Sequence, residues 1–312
     1  MDVSVIIVTR NTCALTCDAI RSVLDSRDGL ATEVFVVDNG STDEMPKLLP
    51  ERFPAVRYRR FENNLGFAKA VNLAAREARG EFLLLLNSDA RVGADSLATA
   101  VAWMRAHPEC GVAGAQLLYP DSRRQNSIAN FPTLATELLN KSLLRRLWPE
   151  RYPGKEHVFT EPVEVESVIG AFFLVRKKLW DELGGLDERF FFFLEETDFC
   201  LRAQRTGSRV MHLPQVEVWH GQGQSAKHMP TEARIEYWRS RYLYFAKNQS
   251  GLSRIIVMAG LGTRLFFDWL AATLLVLLTF GRNGRWRSRW RICTALAGWH
   301  LCGCPAKAGL PR

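Results

Sequence analysis

The sequence predicts an α/β fold, a mainly parallel sheet flanked by helices, followed by a helical tail of different character. Three observations predict it. Short apolar runs alternate with stretches of helical period over the first part of the chain, the pattern of strands and their covering helices. Those runs are apolar throughout instead of alternating in and out, as strands buried on both faces are. The charge, finally, is unevenly divided: residues 1–250 hold 32 Lys or Arg and 32 Asp or Glu, whereas 251–312 hold nine basic residues against Asp268 alone. The expected organisation is one domain over 1–250, with halves at 1–119 and 120–250, and a tail over 251–312.

In chain order, VSVIIVT (3–9), EVFVVD (33–38), VRYRRF (56–61), EFLLLLN (81–87) and GVAGAQLL (111–118) are the expected strands. Helical patterns near 14–27, 65–79 and 94–107 separate several of them. From 120 to 165 the prolines at 120, 132, 149, 153 and 162 break any period and predict a loop-rich excursion. A strand resumes at VIGAFFLVR (168–176), and LWDELGG reads as a short helix stopped by Gly184 and Gly185. A second helix starts at the acidic tetrad 195–198 and runs to about 206, and SRVMHLP forms a further strand ahead of VEVWHGQGQSAKH.

The tail opens with a strongly apolar stretch, 253–280, interrupted by Arg264 and Asp268. Its uninterrupted part, 269–280, is 12 residues long, short of the roughly 20 that span a bilayer. An in-plane or partly inserted helix is expected, with packing onto the body or a true span as the alternatives. Five arginines, 282, 285, 287, 289 and 291, then interleave with Trp286 and Trp290, a chemistry suited to a lipid headgroup layer.

With 312 residues and 47% hydrophobic content, the chain has ample material for a large core. The net charge of +8 is carried by the tail, so the uniformly basic surface expected of a nucleic-acid binder is missing. No nucleic-acid partner is expected; a neutral body with a basic, tryptophan-rich end fits an anionic membrane surface. The seven cysteines show no paired CxxC spacing and no secretory apolar segment opens the chain, which points to a reducing, cytoplasmic compartment. Cys302 and Cys304 read as an incidental pair.

Several polar residues fall where ligands collect in open α/β sheets, beyond the carboxyl ends of strands. Asn11, Asp38 and Asp89 lie at or just after such ends. Asp38 can accept a hydrogen bond from a base imide or a ribose hydroxyl, or it can close the NGS turn after it. Asp89, in NSDA after Asn87 and Ser88, can hold Mg²⁺ or Mn²⁺ against a diphosphate. His220 precedes a loop of small residues that includes Gly221, Gly223 and Ser225, where an imidazole and backbone amides can hold a metal–diphosphate pair. Glu195, Glu196 and Asp198 follow four phenylalanines. Asp198 suits an ion pair with Arg202 one turn on. An apolar wall would raise a neighbouring glutamate's pKa and make it a better base; a solvated cluster favoured by the helix dipole is the other reading.

The ordered set VSVIIVTRN, VVDNGSTD, NNLGFAKAVN, LLLLNSDA, GAFFLVRKKLWDELGGLDERFFFFLEETDFCLR and WHGQGQS resembles the inverting family 2 glycosyltransferases with the GT-A fold. Within them it is most similar to the bacterial rhamnosyltransferase-like branch, over about residues 2–245. The resemblance implies that Thr9 and Asn11 border the nucleotide site and that Asp38 contacts the pyrimidine base. It implies that Asn64, Gly66 and Asn72 line the donor pocket, that Ser88 belongs to the donor-binding set, and that Gly170 and Ala171 form the wall beside the transferred sugar. Asp89 matches the acid of the DxD-type metal motif, with Asn87 in place of its first aspartate, and Trp219 and His220 match the segment near metal and diphosphate. Glu196 matches the general base, and Glu195 stands beside it where the family commonly has a Glu-Asp pair.

The expected activity is metal-dependent inverting transfer of a hexose, with dTDP-L-rhamnose as donor and a glycan or polyprenyl-linked acceptor, in bacterial cell-surface polysaccharide synthesis. Another nucleotide sugar, or a catalytically silent partner docked at the membrane, are the alternatives. The expected place is the inner face of the plasma membrane, with peripheral attachment through 251–312. A dehydrogenase is excluded by the lack of GxGxxG after the first strand. A nucleotidyltransferase lacks a basic triphosphate clamp, Arg10 being the one base offered there.

Overall fold

The computed structural model describes residues 1–26, 29–153, 157–221 and 229–312. The chain forms two compact units, one of Met1–Phe131, Pro149–Phe191 and Glu195–Ser225, the other of Pro132–Trp148, Phe192–Leu194 and Ala226–Arg312.

The first unit is built on a nine-stranded sheet. Its strands are β1 (Val3–Thr9), β2 (Thr32–Asn39), β3 (Arg57–Phe61), β4 (Phe82–Asn87), β5 (Ala90–Val92), β6 (Cys110–Leu118), β8 (Val163–Glu164), β10 (Phe172–Arg176) and β11 (Arg209–His220). The order is β3-β2-β1-β4-β10-β6-β11-β5, with β8 on β11, while β7 (Ile128–Ala129) and β9 (Ser167–Val168) pair separately. Strands β1 to β4 are parallel to their neighbours, and β10 enters antiparallel between β4 and β6, so the sheet is mixed. Successive residues of each central strand serve opposite faces. Val5, Ile7 and Leu84 join one core with α1 (Cys13–Asp25), α2 (Met45–Arg52) and α4 (Ser96–Ala106). Ile6, Leu83 and Leu85 join the other with α3 (Phe67–Ala75), α7 (Lys177–Leu183) and α8 (Glu195–Arg205). This two-sided burial is why the strand sequences are apolar without alternation.

Two segments differ from the sequence reading. The stretch 168–176 is not one strand: a turn at Gly170-Ala171 separates β9 from β10. Conversely, 209–220 is a single strand that absorbs Pro214 through a register shift between Leu213 and Glu217, where a missing amide is tolerated. His212 lies wholly buried on this strand with neither ring nitrogen hydrogen-bonded, and burial pushes its pKa down to about 4. It is therefore a neutral core residue.

The second unit contains α5 (Leu134–Leu138), α6 (Lys141–Leu147), α9 (Pro230–Asn248), α10 (Gly251–Leu278) and α11 (Gly284–Leu301). Helix α9 falls in this unit together with α10 and α11. Side chains explain the grouping. Tyr242 Oη lies 2.9 Å from His300 Nε2, Trp238 meets the same imidazole edge-on at 5.1 Å, and Arg241 pairs with Glu137 at 2.7 Å. Ser250 and Asn283 cap α10 and α11 through their side chains. Helix α10 runs unbroken through Arg264 and Asp268 for 28 residues, about 42 Å, and is long and apolar enough to cross a membrane by length and composition.

Candidate active site at the carboxyl rim of the sheet

Sheet register brings the polar strand ends to one rim. Thr9 stands opposite Asp38, Asp38 opposite Arg60, and Val8 opposite Asn87. The rim lies where the chain order reverses, β2 on one side of β1 and β4 on the other, the usual ligand position in open α/β sheets.

At the β2 end, Asp38 is fully buried, and its carboxylate accepts bonds from the Ser41 amide at 2.8 Å and the Tyr58 hydroxyl at 2.6 Å. It thus closes the turn, as one of its two sequence readings had it, and also engages Tyr58, whose pKa burial and this bond raise. Asn11 adopts a left-handed backbone, φ 53°, and bridges to the same turn through Ser41 and Thr42. Thr9 is buried in a hydroxyl cluster with Thr12 and Thr16, and Thr12 donates onward to Ser88 at 3.1 Å. Thr9 and Ser88 therefore stiffen the junction of β1 and β4.

The segment 64–72 faces a different neighbour. Asn72 uses both ends of its amide on the Leu186 backbone and adds Glu188 at 3.1 Å. Gly66, at φ 84° and ψ 167°, leaves its missing Cβ 2.7 Å from the Phe191 carbonyl and ring. Asn39, which the sequence did not single out, donates to Asn64 and to the Gly66 carbonyl and accepts from Leu65. Gly66 and Asn72 thus pack against the chain that leads to the acidic tetrad, while Asn64 holds the turn between Asn39 and Gly66. Gly66→Ala is expected to lower stability by roughly 2–3 kcal/mol, since only glycine holds that backbone region and the added carbon meets main chain; thermal melting checks it.

The Asn87 end carries the densest chemistry. His220 Nε2 lies 3.4 Å from an Asp89 carboxylate oxygen and 3.4 Å from the Asn87 amide nitrogen. Its Nδ1 lies 3.1 Å from Gln125 Oε1, while Gln125 Nε2 donates to the carbonyls of His220 and Leu118. Because that amide's nitrogen is engaged with carbonyls, its oxygen must face Nδ1. Nδ1 therefore carries a proton, and Nε2 is the ring nitrogen that faces Asp89. An imidazole nitrogen and a carboxylate facing each other suit a cation between them. Among the described residues no third His, Cys, Asp or Glu joins them, as befits an ion that takes further oxygens from a substrate. Trp219 does not join this group. Adjacent strand residues point to opposite faces, and its indole lies beside Gly93 and donates to Ser122 at 3.2 Å. Gly223 and Ser225 of the following loop, and His228, lie outside the described residues.

One strand over, the Asn87 backbone N–H donates to the Ala171 carbonyl at 3.2 Å. A Cβ built on Gly170 would stand 3.6 Å from the Glu196 carboxyl group. Asn87, Ala171, Gly170 and Glu196 thus form one continuous line. Burial raises the pKa of Glu196, opposed by the backbone amides of Glu196, Gly170 and Thr197. Glu195 is buried, whereas Glu196 keeps partial exposure. Asp198 is fully buried in its ion pair with Arg202 at 2.9 Å, and Arg202 also donates to the carbonyls of Leu183 and Gly185. Its role is structural, as the helical spacing suggested. Immediately before α8, Phe193 and Leu194 hold left-handed backbone at φ 73° and 68°, a conformation costing non-glycine residues roughly 1–2 kcal/mol each. Such strain gathers next to working residues.

The chain is similar to proteins of known activity and structure. The N-acetylglucosaminyl-diphospho-decaprenol L-rhamnosyltransferase of Mycobacterium tuberculosis H37Rv is 28% identical over 242 residues, covering 71% of this chain and 78% of its own. The rhamnosyltransferase WbbL of Escherichia coli K12 is 25% identical over 190 residues, covering 60% and 69%. Among solved structures, the mannosyltransferase PcManGT from Pyrobaculum calidifontis, in complex with GDP-Man and Mn²⁺, superposes with a TM-score of 0.57 at 18% identity, covering 97% of this chain and 88% of that one. Staphylococcus aureus TarS 1-349 with UDP-GlcNAc gives 0.56 at 18% identity, covering 98% and 82%. Both share the GT-A fold of this chain. The model of glycosyl transferase family 2 matches residues 4–184, more than half of the chain, and the protein belongs to that family.

Proposed function

We propose that this glycosyltransferase moves one hexose, L-rhamnose from its dTDP form, onto a glycan or polyprenyl-linked acceptor with inversion, in cell-surface polysaccharide synthesis at the inner face of the membrane. The observation that carries the reaction is the line from the Asp89–His220 pair through Asn87 and Ala171-Gly170 to Glu196. It sets a cation-binding end and a proton-accepting end on either side of a glycine. In this reading the acceptor hydroxyl gives its proton to Glu196 as its oxygen attacks the anomeric carbon. The bond from that carbon to the diphosphate oxygen breaks on the opposite face, so the centre inverts. Asp89 and His220 Nε2 would hold the metal, with the Asn87 amide turned to present its oxygen. Mg²⁺ or Mn²⁺ bound there supplies charge stabilisation for the departing diphosphate. Asp38, with Tyr58 and Arg60 beside it, frames the base end of the nucleotide, and Thr9, Asn11 and Ser88 hold the turns between.

The donor rests on similarity to the rhamnosyltransferases, and a lipid-linked acceptor draws support from the diphospho-decaprenol in the name of the M. tuberculosis relative. Attachment through 251–312 rests on the tail's basic excess and the outward apolar residues of α10. An in-plane α10 is favoured because Asp268 pairs with Arg289 of α11 at 2.8 Å, and spanning would draw these charges into hydrocarbon.

Purified protein with Mg²⁺ or Mn²⁺ tests the reading against a panel of dTDP-, UDP- and GDP-sugars by saturation-transfer binding and slow hydrolysis. Selective turnover of dTDP-rhamnose is expected. Selection of another donor would overturn the sugar and keep the reaction; binding of none would overturn the transferase reading. Gln125→Leu, which frees the Nδ1 proton of His220, is expected to weaken Mn²⁺-dependent nucleotide binding by about 10–100-fold, measurable by calorimetry.

A further inference from the structure

Helix α10 is built inside out. In a helix of a water-soluble unit the apolar stripe faces the core. Here Leu252, Ile255, Phe266, Leu270, Leu274 and Leu277, which fall on one face by helical spacing, are 42% to 68% exposed. The residues that do pack, Val257, Leu261, Leu265 and Ala272, occupy the opposite face. Arg264 and Asp268 lie toward that packed side.

A second apolar stripe in the same unit has the same character. Leu139, Leu143 and Leu147, spaced four apart at and along α6, and the following Trp148 are each about half exposed. The buried residue of that helix is Leu144. Basic side chains accompany the stripe at Lys141, Arg145 and Arg146, with no acid between 138 and 149. The two segments touch. Leu138, at the end of α5, fits against Gly260, where an added Cβ would come within 2.6 Å of its Cδ2. Gly260 shares a helix face with Ile256 and Phe267, both exposed. The chain thus enters α6 from the edge of the exposed α10 face.

We infer that the membrane-binding surface is made of two chain segments, 139–148 and the exposed face of α10, and that its partner is a bilayer with anionic headgroups. The inference rests on the membrane reading given above and adds to it a segment more than a hundred residues from the tail. The two apolar stripes match the acyl boundary. The flanking bases, Lys141, Arg145 and Arg146, match lipid phosphates and suit the tryptophan between water and lipid. In sequence, 139–148 comes from the excursion between β6 and β10, so the surface is not made by the tail alone.

Hydrogen-exchange mass spectrometry of the full chain, with and without vesicles of phosphatidylglycerol and phosphatidylethanolamine in equal parts, tests this. Protection of both 139–148 and the α10 peptides on vesicles is expected. Protection of α10 with 139–148 unchanged would overturn the inference and leave the tail reading intact. No association with vesicles at all would overturn both. Leu143→Asp with Leu147→Asp, a change at exposed positions that leaves dTDP-sugar hydrolysis in solution as a check of folding, is expected to weaken vesicle binding roughly tenfold or more. Unchanged vesicle affinity accompanied by a fall in the mass seen by light scattering would reassign the face to a second copy of this chain and overturn the inference.

Discussion

Glu196→Gln is expected to lower kcat by about 10²–10⁴-fold, the range supplied by a positioned general base, with donor affinity nearly unchanged. The carboxyl group lies beside Gly170 and in line with Asn87, where an acceptor oxygen would pass. Its pKa is raised, chiefly by burial. The folded protein therefore keeps this proton at pH values where the unfolded chain has lost it. In that window, from the ordinary carboxylate range up to the raised folded value, stability falls as pH rises. Two results follow for the glutamine variant. It should match or exceed the parent in melting temperature at neutral pH, because the cost of holding a buried charge is gone. It should also lose the acid limb of the pH–rate profile, which in the parent reports Glu196 deprotonating. Melting scans across pH, beside single-turnover rates on a nucleotide sugar, separate this from simple damage to α8. Turnover equal to the parent's would move the base to Glu195 or elsewhere.

Asp89→Ala is expected to reduce metal-dependent nucleotide binding by at least about 100-fold, above the 10–100-fold attached to outer partners of a metal ligand. The Asp89 carboxylate faces His220 Nε2, and Gln125 orients the ring through Nδ1. Removing the carboxylate leaves an imidazole and an amide, too little negative charge for a hard divalent cation. Mn²⁺ titration followed by electron paramagnetic resonance reads the loss without relying on turnover. Full activity of the parent in EDTA would reject the role outright.

Much of the nucleotide half was legible in the sequence because its strands are buried on both faces and therefore read as unbroken apolar runs. The positions of Asp38, Asn87 and Asp89 followed from where those runs stop. Asp198 was legible too, since its partner Arg202 lies one helical turn away. What stayed hidden depends on distant pairing. Gln125 lies in a stretch without period, yet it orients the His220 ring across 95 residues. Tyr58 reads as an ordinary strand residue, yet it donates to Asp38. The contact of the Asn72 amide with the Leu186 backbone could not be read from the sequence. Helix α9 escaped notice because its charged and aromatic residues are mixed around the helix, and its burial comes from α10 and α11.

By itself the sequence determined the α/β class, the motif order that marks the family, and the separation of a neutral body from a basic, apolar end. These are properties of local period, composition and spacing, which need no partner to be expressed. Tertiary structure alone decided which of the marked residues share a site. It joined Asp89 to His220 through the pairing of β5 with β11, and set Glu196 beside Gly170. It turned the Trp219 indole toward Gly93 and Ser122, and set Gly66 and Asn72 against the chain that leads to α8. It also set the apolar face of α10 outward and brought α5 against it. The physical reason is that side-chain direction and long-range register are fixed only when strands pair and helices pack, so a residue's neighbours across the chain are settled by the fold.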